Sequence, residues 1–131
     1  MSYDEALGMW AEAAQDMVSA GLALATGMHY NTADLCNQAA EKALQAVYIL
    51  HHDSRAPYNH DLRPLGELVG APPDILTDLD ALTPYHPSAF LEQVAPDAAD
   101  DAVSPETAND LLRRARGVLR WARPFVLTPS P

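Results

Sequence analysis

From Asp4 to Ala25 the apolar side chains return at three- and four-residue steps. Leu7, Trp10, Ala14, Met17, Gly21 and Leu24 mark the line, with Ala11, Val18 and Ala25 beside it. That period predicts one amphipathic helix. Glu5, Glu12, Gln15, Asp16 and Ser19 lie mostly off the stripe, and Gly27 supplies a left-handed stop. Small residues crowd this helix (Ala6, Gly8, Ala13, Ala20), which permits close approach of a neighbour. A second stripe, Ala33, Cys36, Ala40, Ala43, Val47 and Leu50, predicts a helix that Asn31 or Thr32 caps and that runs to about Leu50. Its polar complement is Asp34, Asn37, Gln38, Glu41, Lys42 and Gln45, expected on a solvated face. The link through Gly27 to Tyr30 is short, so the two rods should be antiparallel neighbours.

Proline punctuates the rest. None of the eleven prolines precedes Pro57, which leaves the first 56 residues free for long helices. His51 to Asn59 is expected as a polar loop. A third helix should start near His60-Asp61, take Pro64 in its first turn and end by Gly70. Pro72-Pro73 opens a short helix over Asp74 to Leu82. Thr83 to Ser104 carries Pro84, Pro87 and Pro96 and an acidic run, and is expected as a long surface loop. Ser104-Pro105-Glu106 then starts a last helix, with Leu111, Leu112, Ala115, Val118, Leu119 and Ala122 apolar. Pro124 is expected to stop it near Arg123. No segment alternates with period two. The expectation is one all-α domain over residues 1–127, an antiparallel bundle, with 128–131 frayed.

Charge narrows the partners. Eight basic and eighteen acidic side chains give a formal net charge of −10, which repels a polyanion and speaks against nucleic acid. The single cysteine, Cys36, forms no internal disulfide. The first residues carry acids where a signal peptide would carry base, and no run is apolar enough for a membrane span, so the chain is expected in the cytoplasm.

Three groups of residues carry candidate chemistry. Arg113, Arg116 and Arg120, continued by Arg123, share one face of the last helix and suit a phosphate, a nucleotide or an acidic partner. The helix dipole, apolar surface covered by arginine stems, and pairing with acids of the first helices are the structural account of the same residues, and the preferred one. Arg55 and His60, with four residues between them, form the second group. An imidazole general base on a 2′-hydroxyl with a guanidinium on the phosphorane would cleave RNA. A structural His60 that starts the third helix is the other reading. Third, Gln38 and Lys42 lie on a polar strip of the second helix. No CxxC, HxxH or HExxH spacing suggests a metal, and no phosphate loop or nucleophile elbow points to a cofactor or a triad.

Asn37-Gln38-Ala39-Ala40-Glu41-Lys42-Ala43-Leu44-Gln45-Ala46, followed by His60-Asp61-Leu62 and Leu65, resembles the higher-eukaryote-and-prokaryote nucleotide-binding (HEPN) domain. Trp10, Ala14 and Asp16 match its first helix. Leu79, Leu82 and Tyr85 match the stretch after its third, and Ala108, Ala115, Leu119 and Trp121 its last. The resemblance implies four long helices with a short extra one, and often a homodimer. It implies either a toxin or RNase, as in toxin–antitoxin pairs, or a non-catalytic domain that binds a nucleotide or pairs with a small nucleotidyltransferase. Gln38, Lys42, His60 and Tyr85 join the three arginines as ligand-binding candidates. The chain departs from the family in two places. The first favours the non-catalytic role over the RNase, and the second removes an arginine that would grip a nucleotide phosphate. A pure protein-interaction bundle is the third reading. RNase members place a polar residue after the arginine, later in the bundle, whereas Arg55 precedes Ala56 and Pro57. An Arg-Tyr-Pro stretch of relatives is replaced by Ser88-Ala89-Phe90-Leu91.

Overall fold

The computed structural model describes residues 2–127, so the fraying expected of 128–131 lies outside the described residues. The proline-free start forms α1 (Ser2–Ala25) and α2 (His29–His52). Between them the Met28 N–H donates to the Ala23 carbonyl at 2.9 Å and the Gly27 N–H to Leu24 at 3.2 Å. Gly27 sits at φ 78°, which completes a Schellman turn. The reversal is so tight that α2 begins at His29, and neither Asn31 nor Thr32 caps it. The Thr32 hydroxyl instead donates back to the Met28 carbonyl from within the helix, at 3.0 Å. A distant residue supplies the cap: the Tyr30 N–H donates to Asp100 Oδ1 at 2.9 Å. An acid of the Thr83–Ser104 stretch thus neutralises the positive end of α2.

The α1–α2 seam is lined by small residues. Ala6, Ala13 and Ala20, at seven-residue steps, are fully buried, while Leu7, Trp10, Met17 and Leu24 flank them half-buried. The sequence pattern put the stripe one residue away because alanine weighs little beside leucine and tryptophan. α2 is the central rod and is buried almost all round.

α3 (Leu62–Leu68) is capped by Asp61, whose carboxylate accepts from the Arg63 N–H at 3.2 Å. A second Schellman turn at Gly70 leads into α4 (Pro73–Leu82). The expected long loop is instead punctuated by helical turns: a 3-10 turn at Thr83–Tyr85, α5 (Pro87–Phe90), another at Pro96–Ala98, and α6 (Ala99–Ala102). Each proline there stands in the first turn, where its fixed φ is already helical. α7 (Pro105–Leu127) starts on the Ser104 hydroxyl, which accepts from the Thr107 N–H at 3.0 Å. Pro124 does not stop it. The proline is exposed and removes one bond on the solvent side, while Ala122 and Val126 stay fully buried against α1 and α2.

The described residues are all helix and connecting turns, with no strand. Three long rods pack with α3 and α4 in series as the fourth side. Among them no helix is long and apolar enough to cross a membrane.

Gly66 and Gly8 give opposite tests of this packing. A methyl on Gly66 would overlap the buried Leu79 side chain and crowd the half-buried Leu76, whereas one on Gly8 meets nothing within 4 Å. Gly66→Ala is expected to cost about 1–3 kcal/mol through overpacking. Gly8→Ala is expected to gain roughly 1 kcal/mol of helix propensity. Urea unfolding of both variants checks the pair.

Candidate functional site

A helix buried almost all round must bury most of the polar residues along its length. Asn37, Glu41 and Gln45, at four-residue steps on α2, are 1%, 9% and 1% exposed. This corrects the expectation of a solvated strip. Asn37 Nδ2 donates to the Leu82 carbonyl at the end of α4, at 2.9 Å. Gln45 clamps the α2–α3 loop from both sides: its Nε2 donates to the Ala56 carbonyl at 3.1 Å, and its Oε1 accepts from the Ala56 N–H at 2.8 Å. A polar residue at each end of the row is therefore spent on pinning backbone.

Glu41, in the middle, is left short. Its Oε2 lies 3.6 Å from Arg55 Nη2, an ion-pair distance too long for a hydrogen bond. Glu41 Oε2, Asn37 Oδ1 and the Tyr58 hydroxyl are buried without a hydrogen-bond partner among the described residues. Burial raises the Glu41 carboxyl above its ordinary 4.5, with Arg55 opposing the rise. Burial, then the Glu41 charge, drives the Tyr58 phenol well above its usual range.

Beyond Tyr58 lie two imidazoles. His60 takes a left-handed φ of 74°. Its ring meets Tyr58 edge-on at 5.3 Å and packs on His86 at 3.8 Å. Burial, then the charge of His60, lowers His86, with Asp34 opposing.

The residues expected at a site are scattered by comparison. Gln38 Nε2 donates to Asp34 within α2, at 3.0 Å. Lys42 Nζ is held by Asp16 at 2.8 Å and Glu12 at 3.6 Å, so its charge ties α2 to α1. Tyr85 accepts from the Tyr30 hydroxyl through its carbonyl, and its ring stands 5.7 Å from Phe90 beside a cavity of about 230 Å³. Arg113 pairs with Asp110 at 2.6 Å. Arg116 and Arg120 are exposed, with no carboxylate within 4 Å among the described residues. Arg55 and His60 face different partners: Glu41 for the first, Tyr58 and His86 for the second.

Sequence reasoning passed over Tyr58, His86, Asp34 and Arg114. Arg114 joins Asp110 at 2.7 Å to Asp78 at 2.9 Å and locks α4 to α7. One signal was available, since Asn37, Glu41 and Gln45 stand on a single line of α2. Cys36 is fully buried, and burial pushes its thiol up to about 12, which leaves it inert at neutral pH. Among the described residues no three His, Cys, Asp or Glu side chains gather as a metal site.

The fold and the row define a helical bundle whose second helix carries the polar signature. The HEPN domain model matches residues 7–124, and the chain belongs to the HEPN family. TT1696 from Thermus thermophilus superposes with a TM-score of 0.80 at 20% identity, over 92% of this chain and 98% of that one. ST0689, an archaeal HEPN homologue, superposes at 0.77 and 23% identity, over 93% and 98%. At these identities the likeness is one of fold. No curated protein matches the chain.

A carboxyl raised on folding binds its proton more tightly in the native state. Glu41 therefore costs stability as pH climbs above its ordinary 4.5. Glu41→Gln is expected to raise the unfolding temperature at pH 7. The gain should vanish below about pH 4, where the carboxyl is protonated in both states. Thermal unfolding across that range checks it.

Proposed function

We propose that this HEPN domain works by binding rather than by cleavage, as the accessory subunit of a separate chain such as a small nucleotidyltransferase. The observation that carries the reading is the separate commitment of Arg55 and His60. Metal-free RNA cleavage needs a base and a cation converging on one phosphate. Here the guanidinium is drawn to Glu41 and the imidazole to His86.

The groups available for binding support the same reading. Lys42 is neutralised by two acids, and no cation lines the cavity beside Tyr85 and Phe90. A nucleotide phosphate would instead find Arg116 and Arg120, which are exposed and carry no acid partner among the described residues. An anionic group on a partner protein would find the same two side chains.

The domain acts as a homodimer in this reading. Two copies at −10 each repel except over uncharged surface. Val18, Leu22 and Met28 offer such surface, exposed at 66%, 65% and 45% around the α1–α2 turn.

Purified protein is expected to leave structured and single-stranded RNA intact, with His60→Ala indistinguishable from wild type. Cleavage by wild type that His60→Ala abolishes would establish an RNase instead. Light scattering is expected to give twice the 14.2 kDa chain mass. A charge at the turn, Leu22→Glu, should return the monomer.

A further inference from the structure

Five of the eight basic side chains have a carboxylate within 4 Å: Lys42, Arg55, Arg63, Arg113 and Arg114. The remaining three are Arg116, Arg120 and Arg123. They are all exposed, stand on one face of α7 at steps of four and three, and have no acid within reach among the described residues. With eighteen acids in the chain, three adjacent unneutralised guanidiniums are a local excess against the global charge. Like charges one turn apart repel by a few tenths of a kcal/mol each, and an anion lying along the face relieves that repulsion.

The stripe borders a slot with an apolar wall and a charged rim. Between α4 and α7 a cavity of about 300 Å³ is walled by Pro72, Ile75 and Trp121, with Arg120 and Asp74 also lining it. Gly117 and Asp78 line it too, and a Cβ on Gly117 would stand 3.4 Å from Asp78 Oδ2. Trp121 packs on Phe125 at 5.2 Å, and Phe125 is 52% exposed. Arginine and tryptophan are the residues that most often dominate protein interfaces.

We propose that this face docks an acidic amphipathic segment of a partner protein. Its carboxylates lie along Arg116, Arg120 and Arg123, and one apolar side chain enters the slot. The inference rests on the binding reading above and specifies its surface. The charge pattern favours such a segment over a nucleic acid. A phosphate backbone carries negative charge at every step and would meet Asp74 at the slot and Asp110 upstream. A peptide alternates its charges with neutral residues and can set its apolar anchor beside those acids.

The test is fluorescence anisotropy with a labelled helical peptide that carries glutamates at i, i+4 and i+7 and one leucine on the adjoining stripe. An oligothymidine serves as the competitor. The peptide is expected to bind, and more weakly as salt rises. Arg116→Glu with Arg120→Glu should weaken it on the order of tenfold or more. Gly117→Leu should also weaken it by filling the slot, while the salt dependence persists. Failure of the peptide to bind, unchanged affinity after the double charge reversal, or displacement by oligothymidine would each overturn the proposal. RNA cleavage by wild type would sink the non-catalytic reading but leave the peptide result standing, so the two failures are distinguishable.

Discussion

The enclosure of α2 is the constraint from which the rest follows. A helix with neighbours almost all round cannot send the polar side chains of its inner faces to water, so each of those must find a partner in the protein or lose the solvation it had. Losing it costs about 1–3 kcal/mol per uncharged group. Gln45 meets that demand at both ends of its amide on Ala56, and Asn37 at one end only, its Nδ2 on the Leu82 carbonyl while its Oδ1 stays unpartnered. In doing so they fix where the α2–α3 loop and the end of α4 lie. The positions of Arg55, Tyr58 and His60 are thus consequences of hydrogen-bond satisfaction inside the bundle. Glu41 alone on that row has a charge to bury, and one of its oxygens is left without a hydrogen bond.

The same enclosure explains the alanines. α1 can lie close along α2 because Ala6, Ala13 and Ala20 leave room, and closeness is what shuts water out of the seam. Lys42 then crosses the edge of that seam to Asp16 and Glu12. A half-buried amine with two acids beside it is held in its charged form, which spends as a helix tie the cation that looked free for a ligand.

Helices, their order and the starts at Asp61 and Ser104 were legible in the sequence because caps and prolines are local chemistry. What was not legible depended on partners far along the chain. The cap of α2 comes from Asp100, seventy residues on, and nothing around Asn31 or Thr32 announces it. Pro124 looked like a stop because the rule against proline inside helices is local. Buried Ala122 and Val126 overrule it through tertiary packing. The Asn37–Glu41–Gln45 row was visible as polar spacing. Its burial was not, since a polar line on a helix points to water unless the number of neighbours is known. The HEPN resemblance rested on that row and on His60-Asp61-Leu62, which are now seen to be parts of one packed unit.

α4 is where the two chemically distinctive regions meet. At its end the Leu82 carbonyl receives Asn37 from the α2 row. Four residues earlier Asp78 receives Arg114 of α7, next to the slot that Ile75 and Trp121 line. A shift of α4 would therefore strain a buried hydrogen bond on one side and a half-buried ion pair on the other. Neither is easily replaced by water, because Asn37 is fully buried and Arg114 has a second acid, Asp110, holding its orientation. The slot is consequently rigid on its α4 wall, and rigidity there lowers the ordering cost of any segment that docks. The arginines of the stripe have no such restraint. They can adapt to the spacing of the carboxylates they meet, while shape discrimination falls to the slot.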